Sequence, residues 1–484
     1  MEQLLVYPAP VGVPLLGDYR VRVRIEGQEW KEVDTYLAKI DMHNVREVSV
    51  AYFDFEGKVE CEVTSLREDV DSVLIRPVSA GVEFTKEENT IRFFLVHPEK
   101  LSVEINGNRF RNLHLFVGAV MEDMAMGGKR KEEETAAEGG AVIIEPIKED
   151  IDLSSVLAAA AYSGGRRTVV FAPGLHRLKN DLCPLPSNTT VILAGGAVVM
   201  GGFLIEGQEN VTVKGKGMIF LAHVKKETFL RGVDIRFSQN IVIEGITIMN
   251  PAHYSILLGC SNNVQIKEVK AFSCVGWSDG IDMMACENIR IEGVFLRNSD
   301  DCIAIYGGRN EYTGNTRNVL VKNSILWADV AHPTMIGVHG DAADGGSIIE
   351  NISFENIDIL EHHEPQDDYL GCMAVNVGDE NTVCNVSYRD IRVEPFERGK
   401  LLDVQVKWNK KYNPVPGRAV KNIMFENIYY NGNGEHTSQI NGFAQDRKVE
   451  GVRFKNLVVR GIQVKKPEDG NICVGEFAED VHFE

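Results

Sequence analysis

A nine-residue phrase recurs along this chain: NVTVKGKGM at 210–218, NIVIEGITI at 240–248, NVQIKEVKA at 263–271, NIRIEGVFL at 288–296, NVLVKNSIL at 318–326, NISFENIDI at 351–359, NVSYRDIRV at 385–393 and NIMFENIYY at 422–430. The first five copies start 30, 23, 25 and 30 residues apart. Unequal intervals around a constant phrase are the mark of a solenoid whose turns swell while its strands stay fixed. Within each copy apolar side chains alternate around a polar kink, and the leading Asn suits a turn with a left-handed backbone. The pattern predicts a right-handed parallel β-helix of about ten coils, closing an all-β chain. Insertions after 318, 351 and 385 then become loops that wall one face.

Working outward, the first ~120 residues carry period-2 alternation instead: Tyr19, Val21, Val23, Ile25, then Val59, Cys61, Val63, then Leu101, Val103, Ile105 before an Asn106-Gly107 turn. This reads as an antiparallel β-sandwich over 1–125. Residues 126–140, two glycine pairs around a charge run, read as a linker, and 141–484 as the β-helix. Leu153, Val156, Leu157 and Ala160 predict one amphipathic helix over 152–163, placed to cap the solenoid's open end. A length of 484 residues agrees with more than one folding unit.

The formal net charge is −19, the wrong sign for neutralising nucleic-acid phosphates or binding an acidic lipid surface. Neither nucleic acid nor membrane is expected as a partner. No apolar run reaches 18 residues and the N-terminal stretch lacks a signal-like pattern, so the expected location is cytoplasmic. Nine cysteines without a CxxC pair fit reduced thiols.

Chemistry concentrates in WSDGID at 277–282 and NSDDCIAIYGG at 298–308. Asp279 stands about one coil before the Asp300-Asp301 pair, and residues one coil apart stack at ~4.8 Å. Carboxylates crowded in this way cannot all ionise normally, so one is pushed up toward neutrality. Glycoside hydrolysis needs that division between a protonated carboxyl for the leaving oxygen and a carboxylate for water. The bland alternative is that Asp and Asn gather at solenoid turns because they tolerate turn geometry.

These two motifs resemble the NTDG and QDDC-VAI-SG motifs of the polygalacturonase family, at that family's spacing. The resemblance covers most of 145–430, with FAPGLHRL at 171–178 and LAGGAVVMGG at 193–202 similar to the family's first coils. It implies a β-helical glycoside hydrolase with Asp279, Asp300 and Asp301 in the active site. The family's histidine is matched by His332, through its spacing to Ile336-Gly337, with His339 in GVHGD as the rival. The family's Arg-Ile-Lys motif, whose cations pair with galacturonate, is replaced by Ala374 and Asn376. That loss, with the charge of −19, points to a neutral or only partly acidic oligo- or polysaccharide. The domain order is also similar to the dextranase and isopullulanase family, which acts on neutral α-glucans.

The expectation is therefore an inverting glycosidase in which Asp300 is the general acid, Asp279 and Asp301 handle water, and His332 tunes the proton balance or holds a substrate hydroxyl. No cofactor and no metal are called for. Trp277, Tyr306, His339, Asn376 and Trp408 are the expected substrate-binding residues, with Trp327 and Tyr369 as further stacking candidates, since a flat ring covers the apolar face of a pyranose. A polysaccharide lyase and a non-catalytic carbohydrate-binding β-helix are the competing readings. The first lacks cations around the aspartates, and the second leaves the carboxylate triplet unexplained.

Overall fold

The structure, a computed structural model, describes residues 2–120, 140–160, 165–434 and 436–484. The chain packs as two compact units, one of Met1–Cys183, Asn188–Gly201 and Val213–Phe220, the other of Pro184–Ser187, Gly202–Thr212 and Leu221–Glu484.

In the first unit two sheets face each other. One carries Gln3–Val6, Tyr36–Ile40, Arg46–Glu56, Val73–Arg76, Glu99–Ile105 and Asn108–Ala119; the other carries Tyr19–Ile25, Lys31–Val33, Val59–Ser65, Phe84–Glu87 and Thr90–Leu95. Strand alternation sends Val21, Val23, Cys61 and Val63 from one sheet and Phe53, Leu101, Val103 and Leu115 from the other into one core. The sandwich is not wholly antiparallel, because Asn108–Ala119 pairs parallel with Arg46–Glu56. No hairpin joins those two strands, so nothing forces them to run in opposite directions. The linker expected at 126–140 lies outside the described residues except for Gly140. The expected helix is shorter than 152–163: it spans Leu153–Ala159, with Asp152 accepting from the Ser155 amide at its start, and the chain turns extended at Ala160.

From Val142 onward 29 strands form one sheet in which strands pair with those a coil away, the topology of a parallel β-helix. The leading asparagines of the repeated phrase explain its constancy. Asn210, Asn240, Asn263, Asn288, Asn318, Asn351, Asn385 and Asn422 all have φ between +53° and +59°. Their side chains form a ladder: Asn318 donates to Asn288 at 3.0 Å, Asn351 to Asn318 at 3.1 Å and Asn385 to Asn351 at 3.2 Å. Inside the later coils Phe354, Tyr388, Phe425, Phe454 and Phe483 stack face to face, with ring centroids 4.6 to 5.3 Å apart.

One row of strands positions the site, all in the second unit: Ile256–Gly259, Ile281–Met284, Ile303–Tyr306, Thr334–Ile336, Gly371–Val377 and Lys400–Val406. Their register aligns Leu257, Asp282, Ala304, Met335, Ala374 and Asp403. Alternation turns this set outward, while Ile281, Ile303 and Met373 fill the interior. The outward set is not bare: Tyr254, Tyr306, Tyr312 and Tyr369 pack onto it, making an aromatic floor.

Candidate active site

Just before these strands the ladder continues. The Ser255 amide donates to the Asp279 carbonyl, Gly280 to Asp301 and Cys302 to His332, each at 2.8 Å. Tyr254, Asp279, Asp301 and His332 thus follow one another on successive rungs. The rung partner of Asp279 is Asp301, not the Asp300-Asp301 pair as a unit. Asp300 joins them because the chain bends at Ser299 and Asp300, so one oxygen from each of Asp279, Asp300 and Asp301 lies within 4.8 Å of the others. Gly280 permits the close approach: a Cβ there would stand 2.3 Å from the Cys302 carbonyl oxygen and 2.8 Å from Asn298 Oδ1. Asn298 in turn donates to Ser273 Oγ at 3.0 Å and to the Ser278 carbonyl at 3.3 Å, pinning the turn that carries Asp279.

Burial, followed by the charge of Asp301, pushes Asp300 up to about 7, against the opposing amides of Trp277 (2.9 Å) and Asp301 (3.2 Å). Asp279 is raised well above the usual carboxylate range, first by burial and then by Asp282, Asp300 and Asp301. Asp282 is a fourth carboxyl, fully buried and likewise raised by burial and by Asp301. It lies against Asp279, and neither of its oxygens meets an amide, hydroxyl or guanidinium donor. Two such carboxyls share a place by sharing a proton.

His332 Nδ1 is 2.7 Å from Asp301 Oδ1, and its Nε2 is 2.8 Å from the Tyr369 carbonyl oxygen. A carbonyl can only accept, and the carboxylate of Asp301 also takes the His332 amide at 3.1 Å, so both ring nitrogens carry protons. Burial alone would lower this imidazolium, but Asp301 and Glu364 raise it to about 9. The ring is wholly buried with both nitrogens engaged, which removes the expected option that His332 holds a substrate hydroxyl. Tyr306 donates to the other Asp301 oxygen at 3.3 Å. His339 is packed edge-on against Tyr306, 4.9 Å between centroids, and is pushed down to about 3 by burial and then by Arg309, so it stays neutral. Of the two histidines, the structure brings His332 to the aspartates.

The remaining expected residues divide. Trp277 is 54% exposed beside Asp300, its ring stacked on Phe229 at 6.2 Å between centroids and met by Lys226 at 5.3 Å, whereas Tyr306 is buried and serves Asp301. Asn376 lies buried on the outward row with both side-chain polar atoms unpartnered. Trp408 is exposed and donates to the Asn413 carbonyl, two coils beyond the His332 rung. Trp327 cannot stack on a sugar: it is fully buried under Arg297, which pairs with the equally buried Asp329 at 2.9 Å. Tyr369 contributes its carbonyl to His332. Sequence reading missed Tyr254, Asp282 and Glu364, while Arg309 entered it only beside Lys407 as an alternative source of positive charge. Asp282 had a signal, since it alternates with the apolar Ile281 and Met283 in IDMM and so points outward if they point inward. The three aspartates are also the group of described residues whose oxygens lie close enough to hold a cation, although Asp300 and Asp301 already spend lone pairs on Trp277, His332 and Tyr306.

The outer side of one strand row of the parallel β-helix thus gathers carboxyls and a histidine. This chain belongs to glycosyl hydrolases family 28, whose sequence pattern matches residues 188–473. It is 26% identical over 230 residues to the probable exopolygalacturonase B of Neosartorya fischeri, covering 45% of this chain and 48% of that protein. Against the exopolygalacturonase B of Aspergillus niger it is 26% identical over 207 residues, covering 40% and 44%. The chain thus spans about half the length of the curated relatives it matches. Its fold is similar to Dex49A from Penicillium minioluteum, with TM-score 0.70 and 14% identity over 99% of this chain and 96% of that one. It is also similar to the Yersinia enterocolitica family 28 exopolygalacturonase, with TM-score 0.53 and 11% identity over 92% and 98%.

Proposed function

We propose that this protein hydrolyses O-glycosidic bonds of an oligo- or polysaccharide whose sugars are neutral or only partly acidic, with inversion at the anomeric carbon. The observation that carries the reading is the convergence of Asp279, Asp300 and Asp301, with Asp300 pushed up to about 7. Asp300 then gives its proton to the leaving oxygen, and Asp301, oriented by His332 and Tyr306, takes one from the attacking water that Asp279 helps to place.

The carboxyl separation argues the other way: oxygens within 4.8 Å fall short of the roughly 6.5 to 9.5 Å of inverting sites and lie nearer the roughly 5 to 5.5 Å of retaining ones. Retention, however, needs a carboxylate free to form an ester. Asp301 Oδ1 is taken by the His332 amide and ring and Asp279 is held against Asp282, while Asp301 Oδ2, met only by the Tyr306 hydroxyl at 3.3 Å, keeps a lone pair to accept a proton from water.

The substrate reading rests on Ala374 and Asn376, and on the next coil, where Lys400 is spent on Asp403 at 3.4 Å. The relatives' names speak for polygalacturonan, and the test sets these against each other. Purified protein is incubated with polygalacturonate, its methyl ester and α-glucan oligosaccharides, and fresh product is followed by proton NMR. The expected outcome is slow release from fully de-esterified polygalacturonate and an inverted first anomer. Rapid release from it would transfer the missing charge to another cation, Lys407 or Arg309, and a retained first anomer would overturn the mechanism.

A further inference from the structure

Two bulky aromatic residues beside the aspartates stand in a backbone conformation that their side chains resist. Trp277 has φ +61° and Phe229 has φ +52°, and their exposed rings stack with 27° between planes. Phe229 closes the short 3-10 turn Lys226–Thr228, two coils before Trp277. His253, from the coil between them, meets the Phe229 ring at 5.5 Å and the Trp277 ring at 6.4 Å.

The Ser278 amide donates to the Val275 carbonyl at 3.3 Å, so 275–278 is a β-turn with Gly276 and Trp277 at its centre. Positive φ at Trp277 but not at Gly276 defines the turn form whose second central place is ordinarily filled by glycine or asparagine. The commoner form leaves the ends of the turn in place and turns over the peptide between the two central residues. That peptide carries the Trp277 N–H, which here donates to Asp300 Oδ2 at 2.9 Å. In the other form this donor points away from Asp300. The ends are fixed in either case, because Ser278 Oγ takes the Val275 amide at 3.2 Å and the Ser278 carbonyl accepts from Ser273 and Asn298. A tryptophan left to itself favours the commoner form, since its Cβ crowds the backbone in the left-handed region. An aromatic stack offsets a cost of that size.

We propose that Phe229 is a positioning residue for the general acid: by stacking on Trp277 it holds the 275–278 turn in the form that aims the Trp277 amide at Asp300. This rests on the reading of Asp300 as proton donor and adds what meets its charge as the proton leaves. The developing carboxylate is met at Oδ2 by this amide and at Oδ1 by the Asp301 amide. Asp279, Asp282, Asp301, His332 and Tyr369 also act on Asp300, while Lys226 and the uncharged His253 face the Trp277 ring. A change at Phe229 alters none of these side chains.

Phe229→Ala removes the stack and leaves the sequence of the turn intact. On whichever of the substrates named above is cut fastest, kcat should fall about 10-fold, the worth of one charge-assisted hydrogen bond, with little change in KM. The high-pH limb of kcat/KM should move upward, because the lost amide had favoured the ionised form. Phe229→Tyr, which keeps the ring, should restore both. In a Trp277→Asn background, where the left-handed conformation needs no ring to hold it, Phe229→Ala should leave kcat at that background's own value. An unchanged kcat in Phe229→Ala, or the same fold loss in both backgrounds, would overturn the proposal. Should Phe229→Ala not fold, Phe229→Leu, apolar but without a flat face, takes its place with the same expectations. Selective nitrogen labelling of tryptophan for NMR reads the turn without turnover. The Trp277 amide proton, assigned by its absence in Trp277→Asn, should lie downfield in the wild type and move upfield when the stack is removed. If the wild type cuts none of the substrates, the hydrolase reading falls and this spectrum alone decides: an amide proton that moves supports the role of Phe229, and one that stays in place overturns it.

Discussion

Asp300 owes its poise to burial beside Asp301, with the Trp277 amide restraining the shift. A carboxyl whose folded pKa lies above its unfolded value binds its proton more tightly in the folded state. Its contribution to stability is complete below the unfolded value of about 3.8 and is lost as pH rises toward about 7. Two outcomes follow from one substitution. Asp300→Asn should cut turnover by about 100- to 10,000-fold, the usual worth of a positioned acid, and should melt no lower than the wild type at pH 8. In the wild type, kcat/KM should fall as pH rises through about 7, where the acid loses its proton. A flat profile from pH 5 to 9, or near wild-type turnover in the variant, would remove Asp300 as the acid. At this scale Asp279, Asp300 and Asp301 were legible because coil spacing converts sequence distance into contact, and His332 entered through the family resemblance, by its spacing to Ile336-Gly337. The contact between Tyr254 and Arg309, 55 residues apart, was not legible. They meet through a loop that folds back over two rungs, and no period encodes that.

The elements of the β-helix are held by what the recurring asparagines do. Asn318 has φ +57°, donates to Asn288 and accepts from Asn351, so it combines a backbone conformation other residues resist with two links of a ladder. Asn318→Ala should lose both and destabilise the fold by about 2 to 3 kcal/mol, whereas Asn318→Gly, which adopts the left-handed region freely, should recover about 1 kcal/mol of that. Urea unfolding midpoints of the two variants check the difference, and identical midpoints would show that backbone conformation is not what the asparagine supplies. The phrase itself was visible in the sequence, and so were its strands. The stack from Phe354 to Phe483 was not drawn from it, because the aromatic position is filled by aliphatic residues in the earlier copies and declares itself only where the later coils align. The helix end was misplaced for a related reason. Apolar spacing ran on past Ala159, while the backbone left the helix at Ala160.

The whole molecule carries a formal charge of −19, and four of its carboxyls gather on neighbouring coils at the active site. A chain of this sign repels an acidic glycan at long range, while any pairing of its carboxylates with groove cations acts only locally. The two effects respond differently to salt. Long-range repulsion is screened over a Debye length of about 10 Å at 0.1 M, while a half-buried contact is screened far less. Raising ionic strength from about 10 to 150 mM should therefore increase kcat/KM for a substrate bearing several free carboxylates by several-fold, leave a neutral substrate unchanged, and act mainly through KM. The opposite sign, a fall in kcat/KM for the acidic substrate with added salt, would mean that exposed cations steer it to the groove. The charge balance of the whole chain would then be a poor guide to what reaches the aspartates. A rise that is the same for neutral and acidic substrates would place the salt effect on the carboxyl cluster itself, through screening of Asp300 by its neighbours, and would show up as a shift in the pH at which activity is lost.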